Sequence, residues 1–259
     1  MNTIKKILIP VDFSDSSIAA INYVVGMVKN DKSIACDLIY IASHDTISDE
    51  IHEIEIKLIQ LKVQYFDPFH IVCDVSVKKG ELNAVLSKAK EELKADLILM
   101  GTAGAKNENE ESHTSRLLED ADLPVLVIPC ETSEFEMKNI ALALDEKEID
   151  DSSSLGVLHD IAKWYNAKIH LLTIDKDNNA PSLHKNADTL EYYLDELDYH
   201  YNFPKNSDIE KGIQNYVSDK NIDILAILPR NHAKRSEPSE GKLTKMLALH
   251  CTKPLLVID

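Results

Sequence analysis

The chain has 259 residues, 44% of them hydrophobic and 28% charged, and its 44 acidic side chains outnumber 28 basic ones for a formal net charge of −16. Such a length accommodates two domains, each with its own core. The acidic excess argues against a nucleic-acid footprint, which needs clustered Lys and Arg, and no apolar run approaches the roughly 18 residues of a membrane span.

Ile7 to Val11 is a continuous apolar run, the pattern of a strand covered on both faces. Ser14 and Asp15 supply N-cap chemistry for a helix whose apolar stripe is Ile18, Ile21, Val25 and Val28. Asp37 to Ala42 reads as a second strand, and Ile51, Ile54, Leu58 and Leu61 recur at helical spacing. Ile71 to Val77 alternates as a third strand and ends in a turn at Gly80. Leu82, Val85, Leu86, Ala89 and Leu93 mark a third helix, and Ala95 to Met100 a fourth strand. A short helix near Ser112 to Asp120 and a fifth strand at Pro124 to Ile128 complete this half.

The order then repeats. Ile140 to Asp145 echoes Ile7 to Asp12, Ile222 to Ile227 echoes Ala95 to Met100, and Lys253 to Ile258 echoes Leu123 to Ile128. Three blocks in one order at a near-constant offset indicate duplication of a small domain. Strands are predicted near 139–145, 168–174, 199–203, 222–228 and 254–258. Helical stripes comprise Leu155, Leu158 and Ala162; Leu190, Tyr193, Leu194 and Leu197; and Ile209, Ile213, Tyr216 and Val217. The polar segment Glu131 to Lys138 separates domains at 1–131 and 138–259. Strands alternating with helices at this spacing predict an α/β class, two tandem doubly wound domains with parallel sheets and right-handed crossovers.

In an open parallel sheet, ligands bind beyond the carboxyl ends of the strands, where the order reverses. In the first half this gathers Pro10-Val11-Asp12, Ile41-Ala42-Ser43 and Met100-Gly101-Thr102-Ala103-Gly104. Glycines after a strand let backbone N–H groups approach phosphate, and they equally serve a tight strand-exit turn. Asp12 either holds an adenine or ribose group or caps the following helix. Both pairs of readings stand on the sequence alone.

The opening strand ending in Pro10-Val11-Asp12, the block Ala95 to Gly104 and the closing Leu123 to Pro129 resemble the universal stress protein family. The likeness extends over essentially the whole chain as two tandem copies. It implies a five-stranded parallel sheet per domain, Rossmann-like and of the adenine nucleotide alpha hydrolase type. It also implies that the fifth strands pair antiparallel, so that one chain packs as a pseudo-dimer, with further homodimerisation left open. Nucleotide-binding members carry G-x-x-G, then after nine residues G-S or G-T, which holds the triphosphate. By that pattern Pro10, Asp12, Ile41, Met100, Gly101 and Gly104 surround adenosine and the first phosphates. Counting forward places Thr114-Ser115 at the second element, and aligning back from Leu123-Pro124 places Glu111-Ser112 there, making Ser112 the last candidate. Either way the second glycine is missing.

Glu108, Glu110 and Glu111 bring three carboxylates to that loop against one Lys106. Like charges about 4 Å apart repel by some 4 kcal/mol at an effective dielectric near 20, so a triphosphate there needs the loop folded away or a divalent cation. The second half keeps Asp145 but has Ala143 in place of Pro10 and Leu228-Pro229-Arg230-Asn231 at the glycine motif. Proline removes a donor and fixes φ where a phosphate cradle needs freedom. Arg230, His232, Lys234 and Arg235 form a local basic cluster, read as a solvated loop or one pairing with acidic surface of the first half, with an anion site made of side chains as the alternative.

Cys36, Cys73, Cys130 and Cys251 lack C-x-x-C spacing and read as free, mostly buried thiols. The ten histidines show no H-x-x-x-H or H-E-x-x-H pattern, so no metal site is expected. Without a G-x-S-x-G elbow no hydrolase nucleophile is identified. Met1 leads straight through Lys5-Lys6 into a strand without a signal-peptide core, so a soluble cytoplasmic chain is expected. The expected function is non-enzymatic: a stress-type regulatory or interaction protein with a protein partner, little or no ATP binding in the second domain and a degenerate ligand site in the first. The alternative is a sensor binding ATP or another adenine nucleotide in the first domain. Neither reading has a nucleic-acid or membrane partner.

Overall fold

Strand β1 (Lys6–Pro10) carries Ile7, Leu8 and Ile9, all fully buried, as a strand with helices on both faces requires. A computed structural model describes residues 4–31, 33–103, 124–132, 134–144, 149, 155–176, 186–228, 247 and 252–258, and the chain divides into two compact units, Met1–Phe135 and Glu136–Asp259. In the first unit β1 is flanked by β2 (Ala35–Ala42) and β4 (Leu97–Thr102), with β3 (Cys73–Lys79) beyond β2 and β5 (Val125–Pro129) beyond β4. In the second, β6 (Asn139–Ala143) lies between β7 (Lys168–Leu172) and β9 (Ile224–Ile227), with β8 (Tyr199–Asn202) and β10 (Leu255–Val257) outermost. Each of these pairings is parallel, so each unit has the doubly wound five-stranded sheet that the sequence predicts.

Helix α1 (Asp15–Val28) starts where Ser14, in extended conformation, accepts a hydrogen bond from Ser17 N–H at 3.3 Å. It buries Ala20, Ile21, Val24 and Val28 completely. Helix α2 (Ser48–Leu61) buries only Leu58 fully and runs into a π-helical turn, Lys62–Phe66, followed by a 3₁₀ turn, Asp67–Phe69. The sequence reading has no counterpart for these turns. Pro68 cannot continue an α-helix, and the widened turn puts Phe66, which is 0% exposed, into the core. Helix α3 is Leu82–Leu93. The second unit has helices at Leu155–Tyr165, Ala187–Leu194 and Ile209–Asp219. Leu197 falls outside the helix predicted to include it, because the helix ends at Leu194, where Asp195 turns to ψ 140°, and Glu196 then adopts φ 70°. The helix expected near Ser112 to Asp120 lies outside the described residues.

The duplication persists in side-chain detail. Asp96 Oδ2 accepts from the N–H groups of Lys5 (2.7 Å) and Lys6 (3.0 Å), and Asp223 Oδ2 accepts from those of Lys138 (2.7 Å) and Asn139 (2.9 Å). Each carboxylate thus pins the entry of its unit's central strand. Gly80 N–H donates to Ala42 and Asn206 N–H to Asp175, which makes these positions equivalent. Gly80 faces Val85, whose Cγ2 would be 2.9 Å from an added Cβ, whereas Asn206 faces Gly212, where an added Cβ would be 3.0 Å from the Asn206 Cβ. Large and small have exchanged places across one contact, keeping its volume.

A second exchange concerns charge. In the first unit Lys6 Nζ lies 3.0 Å from Asp37 Oδ2. Register places Asn139 and His170 at the same positions of the second unit, 3.4 Å apart through Oδ1 and Nε2. The neutral imidazole carrying its hydrogen on Nε2 donates to Asn139 and accepts from the Tyr216 hydroxyl at 2.9 Å through Nδ1. Burial foremost, then Lys168, His200 and Lys220, pushes the His170 pKa below its ordinary value, against an opposing pull from Asp198. A folded pKa below the unfolded one means that the unfolded chain binds the extra proton first. This contribution is therefore complete above about pH 6.5 and is lost as pH falls through the lower folded value. Urea unfolding at about pH 7.5 and about pH 5 is expected to show a smaller acid loss of stability in His170→Gln than in the wild type.

Candidate functional site

The chain order reverses at β1, whose two neighbours are reached by crossovers in opposite directions. The crevice beyond its carboxyl end is therefore where side chains from three strands converge. Register pairs Leu8 with Ile98 and Pro10 with Ile39, so Pro10 and Met100 stand level and Ile41 lies two residues further out. Pro10 and Ile41 are half-buried, whereas Met100 is buried and belongs to the core.

Asp12 is exposed, and its Oδ1 accepts from the Ser14 N–H at 3.0 Å and from the Ser14 hydroxyl. Ser14, not Asp12, caps α1, and the carboxylate fixes the cap in place. Partial burial pushes the Asp12 carboxyl up, but the hydrogen bonds from Ser14 and Ser17 outweigh it and hold the group below the usual carboxylate range. The carboxylate form therefore prevails at neutral pH, as an acceptor.

Gly101 has a packing role independent of any ligand. A Cβ there would sit 1.9 Å from the Ser16 carbonyl oxygen and 2.3 Å from its carbon. The end of β4 thus lies directly against the first turn of α1, and only glycine permits this approach. Gly104 and Ser112, with the acidic loop between them, lie outside the described residues, as do Thr114, Ser115 and Asp145.

Sequence reasoning missed Phe13. It adopts φ 63°, a region uncommon for a bulky residue, and stacks on Tyr40 with centroids 5.3 Å apart and planes 24° apart. Lys57 Nζ lies 5.8 Å from the Phe13 centroid. Phe13 and Tyr40 each adjoin a predicted site residue, Asp12 and Ile41. Nothing in local composition announces a left-handed aromatic, so no sequence signal marks this pair. Chemically the strand ends offer half-buried apolar surface from Pro10 and Ile41 and one exposed carboxylate acceptor, Asp12, whereas Tyr40, next to Ile41 in β2, points to the opposite face of the sheet and stacks there on Phe13.

The second unit builds a different wall. Strand equivalence places Thr173 at the position of Tyr40 and Asp175 at that of Ala42; both are buried, and among the described residues Thr173 Oγ1 and Asp175 Oδ1 have no hydrogen-bond partner. Buried polar atoms replace the apolar and aromatic surface of the first unit.

Among the described residues no group of three His, Cys, Asp or Glu side chains stands together to hold a metal ion. Burial pushes the Cys36 thiol up, and pushes that of Cys73 to about 12, so neither is a ready thiolate. No helix among the described residues is long and apolar enough to cross a membrane.

The fold and its strand-end crevices define a doubly wound α/β protein built from two units of one topology. Residues 3–129 match the sequence model of the Universal stress protein family, and the chain belongs to that family. Membership supports a stress-type regulatory role. A universal stress protein structure from Archaeoglobus fulgidus DSM 4304 is similar over 98% of both chains, with TM-score 0.79 and 16% identity. A protein of unknown function from Pseudomonas aeruginosa PAO1 covers 98% of this chain and 92% of its own, with TM-score 0.64 and 14% identity. A universal stress protein from Arabidopsis thaliana with AMP bound is 16% identical and covers 48% of this chain and 90% of its own, with TM-score 0.38. Comparison with curated proteins finds no match. At these identities the likeness is one of fold.

Proposed function

We propose that the chain is a regulatory and interaction protein of the stress type, with a degenerate ligand site in the first unit and little or no ATP binding in the second. The Gly101 contact carries this reading: the glycine that the family pattern assigns to a phosphate cradle is required by its approach to the Ser16 carbonyl. A glycine kept for packing persists after ligand binding is lost. The Asp12 carboxylate likewise has structural work, holding the cap of α1 through Ser14. In the second unit, the proline at position 229 and the buried Thr173 and Asp175 depart further from a nucleotide site. No residue is assigned a catalytic role.

A second reading, an adenine-nucleotide sensor using the first unit, is favoured by one observation. Asp12 is exposed beside the half-buried Pro10 and Ile41, a surface open to a flat ligand. Chromatography of the acid extract of freshly purified protein separates the two. Absence of carried-through adenine nucleotide is expected, and nucleotide at about one per chain would favour the sensor.

A further inference from the structure

Helix α2 has two apolar faces, and the sheet uses one of them. At 100° per residue, Ile51, Ile54, Leu58 and Leu61 cluster on one side, with Leu58 fully buried. Ile56, Ile59 and Val63 fall roughly opposite and are 43%, 49% and 56% exposed. An isolated exposed isoleucine is ordinary, whereas a ridge continuing into the π-helical turn is a contiguous surface. The corresponding helix of the second unit, Ala187–Leu194, exposes Tyr192 alone among its large apolar side chains.

The charges around the ridge select its occupant. Helical spacing places Glu53 on one flank, Glu55 on the other and Asp49 at the amino end, all exposed. On the Glu55 flank His52 Nδ1 lies 3.9 Å from Glu55 Oε2 and Lys62 follows two turns on, so of these carboxylates Glu53 and Asp49 have no cation beside them among the described residues. Lys57 points elsewhere, over the Phe13 ring. A second copy of the chain would set acidic rim against acidic rim, with −16 on each partner. The area argues the same way. A 14-residue helix is about 21 Å long, and three exposed apolar side chains on one face of it fall well short of the about 800 Å² per partner in a stable protein interface. One helix-sized segment fits; a globular partner of standard size needs more. Anionic lipid is disfavoured by the same carboxylates.

We propose that the outward face of α2 docks a basic amphipathic helix of another protein, with its apolar stripe on Ile56, Ile59 and Val63 and its Lys or Arg side chains facing Glu53 and Glu55. This deepens the interaction reading and rests on it. Nucleotide binding decides that reading and occupation of the ridge decides this one, so the two fail separately.

The test uses the full chain and a fluorescent synthetic Leu/Lys helix whose leucines recur at i, i+3, i+4 and i+7, with a scrambled peptide of the same composition as control. Saturable binding is expected, preferring the amphipathic order, and weakened about tenfold or more by Ile56→Ser with Ile59→Ser. Exchange of the rim, Glu53→Lys with Glu55→Lys, is expected to weaken it similarly. All four side chains are exposed, so thermal unfolding should be unchanged and serves as the folding control. Equal binding of the scrambled peptide, or undiminished binding by the isoleucine variant, would overturn the proposal by reducing it to diffuse attraction to an acidic chain. Absence of binding would overturn it too. So would a concentration-dependent dimer lost in Ile59→Ser, or binding to phosphatidylserine vesicles through the same residues.

Discussion

Gly101→Ala is expected to destabilise the first unit by about 3 kcal/mol or more, because no side-chain adjustment makes room for the methyl group. The atoms it would meet at 1.9 Å and 2.3 Å are the carbonyl oxygen and carbon of Ser16, backbone of the first turn of α1. Relief requires moving α1 off the sheet, and that helix buries Ala20, Ile21, Val24 and Val28 completely. The urea midpoint measures this directly, and a loss below about 1 kcal/mol would show that α1 shifts freely. The variant would also abolish any ligand site through misfolding, so loss of binding in Gly101→Ala says nothing about phosphate contacts.

The second large effect is at Lys6. Its Nζ lies 3.0 Å from Asp37 Oδ2, with side-chain exposures of 27% and 6%. Among the described residues that oxygen accepts no hydrogen bond, so the attraction is between charges. Lys6→Met leaves a buried carboxylate uncompensated and is expected to cost about 3 kcal/mol. Lys6→Met with Asp37→Leu is expected to recover most of that, because removing both charges also removes the desolvation penalty. The second unit is a natural version of this experiment, carrying neutral Asn139 and His170 at the same two positions. Chemical denaturation of the single and double variants measures the difference. A double variant as unstable as the single one would show that the damage lies in packing.

Periodicity made the strands and most helices legible, since a doubly wound sheet buries Ile7 to Ile9 and Val125 to Ile128 on both faces and leaves unbroken apolar runs. The short, exposed β8 at Tyr199–Asn202 was also readable, despite having little core to announce it. The π-helical turn after α2 was not, because Lys62 to Phe66 continues an ordinary helical pattern and only the demand to bury Phe66 widens it. Of the candidate site, sequence order brought Pro10, Asp12, Ile41, Met100 and Gly101 to one sheet end. It left open whether Gly101 served a phosphate or a turn. The structure supplies a third role, close approach to α1. It left Asp12 between ligand and cap, and the observed role is to hold the capping Ser14. The Phe13–Tyr40 stack was invisible because it depends on one residue's left-handed backbone.

Calorimetric titration of ATP into the full chain, with and without magnesium, tests the account most directly. We expect no saturable binding up to about millimolar ATP, the weak end of the affinity scale. Saturable binding at one site per chain that is lost in Asp12→Ala and kept in Asp145→Ala would contradict the interaction reading and make the first unit a nucleotide sensor.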